Sequence, residues 1–149
     1  MDTTRIERLL QRDPYTRDVF VGVYALDRLP RRIKQHPSAY VCNTHPHTED
    51  GEHWVVIYVD ESGQGEYFDS YGLPPLHKRF LNFLNAHCTS WTFNDKQLQG
   101  LTSHVCGHYC VFYLLQRCRG QSMNTIVHMF GKIVEDNDVL VHDFVVHYE

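Results

Sequence analysis

His53-Trp54-Val55-Val56-Ile57-Tyr58-Val59 is a near-unbroken apolar run. A strand with one face in water alternates apolar and polar residues. A run without that alternation belongs to a strand covered on both faces. The chain therefore has to build a sheet with this segment inside it and flank that sheet with other structure.

The flanking elements can be read on either side of the run. Ile6, Leu9 and Leu10 share one face of a predicted helix over 2–12, which Thr3 or Thr4 can cap and Asp13-Pro14 ends. Residues 19–24 and 39–44 read as strands, separated by Leu29-Pro30 and His36-Pro37, and 45–51 as an exposed loop. Ser62-Gly63-Gln64-Gly65 predicts a hairpin turn into Glu66-Tyr67-Phe68-Asp69. Pro74-Pro75 precedes a predicted helix over 76–87 with Leu76, Phe80, Leu81, Phe83 and Leu84 inside, and 89–93 alternates as a half-buried strand. Further helices are predicted over 106–118, 122–131 and 136–148, the last with Val139, Leu140, Phe144 and Val145 at helical spacing. This order gives an α+β fold with a mixed or antiparallel central sheet, and 149 residues suit one domain over 1–149.

The chemistry concentrates at Gln99-Gly100-Leu101-Thr102-Ser103-His104-Val105-Cys106-Gly107. Cys106 opens an apolar, helix-like run. A thiol at a helix N-terminus feels the positive end of the macrodipole, which favours thiolate. Gln99, seven residues earlier, can donate its amide N–H to an oxyanion together with the backbone N–H of Cys106. His53, at the start of the buried strand, suits a general base. The hairpin register carries Asp69 towards residues 55–57, so a small offset or twist brings it to His53 as an orienting group. Thiolate, base, orienter and oxyanion donor together point to acyl transfer by a cysteine protease.

Charge and cysteine usage narrow the setting. The net charge of −4 argues against a protein held mainly by phosphate contacts, despite the basic residues Arg28, Arg31, Arg32 and Lys34. Five cysteines without a visible leader suit free thiols in a reducing, intracellular compartment, and no apolar run nears the ~20 residues of a membrane span. A zinc site at His104-x-Cys106-x-His108-x-Cys110 is the rival within the motif. It would need an extended chain, because residues two apart on a helix point about 200° apart.

His53-Trp54, the acidic residue in Tyr67-Phe68-Asp69-Ser70-Tyr71-Gly72, Gln99 and Cys106-Gly107 together resemble the adenovirus-type maturation cysteine proteases, the adenain family. That family shares a clan with the SUMO- and ubiquitin-like-specific proteases. Phe20-Val21-Gly22-Val23-Tyr24, Val41-Cys42-Asn43-Thr44 and Gly51-Glu52-His53-Trp54 extend the resemblance over residues 6 to 118. It implies a papain-like fold with a central mixed sheet flanked by helices and the nucleophile at the N-terminus of a central helix. The implied roles are Cys106 nucleophile, His53 base, Asp69 orienter and Gln99 oxyanion donor, with Trp54 and Gly51 against the substrate. The implied reaction is endopeptidase cleavage after glycine in viral or virus-like capsid precursors, in a host nucleus or virion, with no cofactor required.

Three departures bear on that resemblance. Asp69 stands where adenoviral enzymes commonly carry Glu, as in the SUMO-protease branch. Cys88 lies near the place where those enzymes take an activating peptide through a disulfide, so the resemblance implies a viral peptide activator as a partner. Their stimulation by DNA fits poorly with this chain's charge. Two other readings stay open: an isopeptidase for ubiquitin-like modifiers, and a non-catalytic protein- or metal-binding domain.

Overall fold

Residues 1–49 and 53–149 are described by the computed structural model. The apolar run forms β3 (Trp54–Val59), with Val55 to Val59 all buried, at the centre of a five-stranded sheet. Around it lie β1 (Phe20–Tyr24), β2 (Ser38–Asn43), β4 (Gln64–Phe68) and β5 (Ser90–Phe93), in the spatial order β1-β2-β3-β4-β5. The inner pairs β2/β3 and β3/β4 are antiparallel and the outer pairs β1/β2 and β4/β5 parallel, so the sheet is mixed.

Side chains alternate across the sheet. Val41, Val56, Tyr58 and Phe68 face one core, shared with α1 (Thr3–Arg12), α3 (Cys106–Arg117), α4 (Met123–Val127) and α5 (Val134–Tyr148). Tyr40, Cys42, Val55, Ile57 and Tyr67 face the other, against α2 (Lys78–His87). Ile6, Leu9 and Leu10 of α1 are completely buried, each contributing about 1.5–3 kcal/mol of transfer free energy.

Several details differ from the sequence expectation. The α1 cap is Asp2, whose carboxylate accepts from Arg5 N–H; Thr3 is already helical. α2 begins only at Lys78, and Leu76 is 70% exposed, because Pro74-Pro75 hold the preceding chain extended. α4 has five residues, where ten were expected over 122–131. The buried stripe of α5 is Asn137, Val141 and Val145, with Val139 and Leu140 outside. That helix is apolar on several faces, and spacing alone could not choose among them.

Residues Cys106 to Leu115 of α3 are all buried, as befits a helix apolar all round. Its C-terminal end is tied to the sheet: Arg117 pairs with Glu66 of β4 at 3.1 Å and lies 4.5 Å from the centre of the Tyr58 ring. The Tyr113 hydroxyl also donates to Glu66. With that end fixed over the finish of β3, α3 runs back along the strand, and its N-terminus meets the strand's beginning.

Candidate active site

The pairing Val56↔Phe68 sets Asp69 opposite Val55, two residues from His53. The twisted strand ends close that gap, and His53 Nε2 lies 2.8 Å from Asp69 Oδ1. Asp69 is 4% exposed and heavily braced. Its N–H donates to Asn94 Oδ1 at 2.9 Å, and Asn94 Nδ2 donates to its carbonyl at 2.6 Å. A turn follows, closed by Gly72 N–H on the Asp69 carbonyl at 2.8 Å. Gly72 has φ +76°, and a Cβ there would stand 2.5 Å from the Lys96 carbonyl carbon, so both conformation and space demand glycine.

Cys106 is the first residue of α3, and no side chain caps that helix, so its opening N–H groups are left for other acceptors. Burial resists ionisation of the thiol, yet the hydrogen bond with His53 and the N–H groups of Trp54 and Gly107 outweigh it and hold Cys106 below the ordinary thiol value. Burial likewise opposes charge on His53, but its hydrogen bonds with Asp69 and Cys106 prevail and raise it to about 9. Since Asp69 takes Nε2, Nδ1 is left for the thiol. Both shifts run in the direction that favours a thiolate–imidazolium pair.

Gln99 is completely buried. Its Nε2 donates to both the carbonyl and the hydroxyl oxygen of Ser103, each at 3.1 Å, and its Oε1 accepts from Ser70 Oγ at 2.5 Å. Both amide hydrogens are thus engaged within the protein. The Ser70 carbonyl accepts from Leu98 and Gln99 N–H at 2.9 and 3.0 Å, which joins the Asp69 turn to the Gln99 loop.

Cys106 opens into a cavity of about 560 Å³ lined by Met1, His45, His53, Trp54, Tyr71 and residues 101–104. A second, of about 380 Å³, shares Met1, His45 and Trp54 with it, so the two form one trough running past Trp54. Gly51 lies outside the described residues. Cys88 is the half-exposed C-cap of α2, off this trough, and burial raises its thiol. His104 stands at the rim. His108 points inward, its ring stacked on His142 and held neutral by burial, with a value lowered to about 4. Among the described residues no group of three His, Cys, Asp or Glu side chains could hold a metal ion. No described helix is long and apolar enough to cross a membrane.

Sequence reasoning missed Asn94, Ser70, Tyr71 and Ser103. Tyr71 stacks on His53 with ring centres 4.4 Å apart. The Asp-Ser-Tyr-Gly turn composition was the one available signal, and it announces a turn without saying what the turn carries.

No protein-family model and no curated protein matches the sequence. Solved structures do. An ASFV protease is 27% identical over 70% of this chain and 43% of its own, with a TM-score of 0.50. The central domain of the Legionella pneumophila protein Lpg1148 matches over 100% of this chain and 98% of its own, at 11% identity and a TM-score of 0.56. The SUMO protease Ulp1 matches over 97% and 79%, at 14% identity and a TM-score of 0.50. The chain therefore spans less than half of the ASFV protease. The mixed sheet flanked by helices is similar to the Ulp1-like cysteine protease fold, and the ASFV protease and Ulp1 belong to the SUMO- and ubiquitin-like protease clan with adenain.

Proposed function

We propose that this chain is a cysteine endopeptidase that cleaves polypeptides after glycine, in viral or virus-like precursor proteins. The observation that carries the reading is the convergence of three elements: His53 on Asp69 at 2.8 Å, and Cys106 at the uncapped N-terminus of α3 with its thiol lowered. Similarity to proteases of the same fold supports it.

In the proposed cycle the Cys106 thiolate attacks the scissile carbonyl, and the negative charge passes to the carbonyl oxygen. The Cys106 N–H holds that oxygen, joined by Gln99 once its amide leaves Ser103. Collapse of the intermediate breaks the C–N bond, and His53 gives its proton to the departing amine. Water, deprotonated by His53, then attacks the thioester and frees the thiol. Asp69 keeps the imidazole turned with Nδ1 towards sulfur throughout. The trough on both sides of Trp54 suits an extended peptide, and the protein's negative charge favours a substrate recognised without nucleic acid.

An electrophilic peptide probe ending in glycine tests this, with mass spectrometry of the parent, Cys106→Ala and His53→Ala. A single adduct on Cys106 that disappears in both variants is expected. Slow, equal labelling of several thiols overturns the reading. Labelling only by a probe built on a folded ubiquitin-like modifier would move the assignment to an isopeptidase.

A further inference from the structure

Asp69 fixes His53 at one atom. A ring held only at Nε2 can still swing about the Nε2···Oδ1 contact and carry Nδ1 away from the thiol. Tyr71 stands where that swing would occur: its ring lies 4.4 Å from the imidazole, inclined by 17°, face to face. Its backbone N–H donates to Asp69 Oδ1 at 2.8 Å, the same oxygen that receives His53 Nε2. One residue thus registers the carboxylate with its amide and the imidazole with its side chain. The turn beneath it is fixed by Gly72 and by the Asn94 clamp. Tyr71 and His53 together line the cavity above Cys106 and a smaller one of about 180 Å³, so the stacked pair stands between the two.

We propose that Tyr71 is a positioning residue for His53, confining the tilt of the imidazole and favouring its protonated form through the aromatic face. The electron-rich face of an aromatic ring attracts a cation stacked upon it. The inference rests on the thiolate–imidazolium reading of Cys106 and His53. Among the described residues, the other titratable groups around His53 include Asp69 from the turn after β4 and Cys106 from α3, with His45 and His104 across the larger cavity and Tyr67 and His77 lining the smaller.

The test is an imidazole NMR titration of His53, assigned by its loss in His53→Gln, in the parent, Tyr71→Phe and Tyr71→Leu. Tyr71 is only partly buried, so these variants should fold. The Leu variant is expected to lower the His53 value by about one pH unit, and the Phe variant, which keeps the face, by less than about a third of that. The turnover number should fall about tenfold in Leu, with little change in KM, and recover in Phe. An unmoved titration in Leu, or equal shifts in Leu and Phe, overturns the role of Tyr71 alone. If iodoacetamide alkylates parent Cys106 no faster than Cys88, the nucleophile reading falls and the role falls with it.

Discussion

Cys106 and Cys110 stand one turn apart on α3, and both are shielded from water, yet their thiols are driven in opposite directions. Cys110 is surrounded by apolar core, and burial pushes it well above the ordinary thiol value, helped by the negative charges of Cys106 and Asp69. Cys106 meets the same penalty, but His53 and the N–H groups of Trp54 and Gly107 reverse it. The difference lies in the first turn of the helix, where N–H groups have no intrahelical acceptor. Burial alone makes a cysteine inert; burial beside backbone donors and a protonatable ring favours its thiolate, the form the proposed mechanism needs.

The comparison breaks most completely if the ring is removed. His53→Gln should make Cys106 behave like Cys110, with peptide cleavage at neutral pH falling by about 10²–10⁴, measured against a glycine-containing fluorogenic peptide. Removing the proposed oxyanion donor is expected to cost less: Gln99→Ala should lower the turnover number by about 10²–10³ with thiol alkylation unchanged. Ser103→Ala should act in the opposite sense, raising acylation severalfold in stopped-flow measurements because it frees one amide hydrogen of Gln99.

The pH profile sharpens the comparison further. The proposed cycle needs Cys106 deprotonated and His53 protonated. Since the thiol is lowered and the imidazole raised to about 9, cleavage should rise on the acid side of ordinary thiol titration and fall as pH passes about 9. Cys110 alkylation should stay near zero throughout that window. The smallest effect belongs to Cys110→Ala, which should leave cleavage within about twofold and cost about 1 kcal/mol in urea denaturation.

Much of this was legible in the sequence because the governing forces are local. Periodicity marked β3 as covered on both faces, and the start of an apolar run marked Cys106 as the head of a helix. The hairpin register brought Asp69 to the neighbourhood of residues 55–57, short of His53 by a small offset or twist. What escaped depends on contacts distant in the chain. Nothing near Asn94 reveals that its amide grips the backbone of Asp69, 25 residues away. A local exception is the amide of Gln99, which reads as an available donor although its loop folds back and sets Ser103, four residues on, against it. Leu76, Val139 and Leu140 were misplaced for a different reason: apolar residues beside prolines or on an apolar helix do not specify which side faces the core.

Ser70 has a mechanical consequence. Its carbonyl carries the loop that leads to Gln99, while its own backbone belongs to the turn bearing Asp69 and Tyr71. It acts as a crossbar between the mouth of the trough and the support of the imidazole. The cavity-lining residues 101–104 and the turn that holds Asp69 are thereby tied to each other through two hydrogen bonds on a single carbonyl, so neither can shift without straining the other.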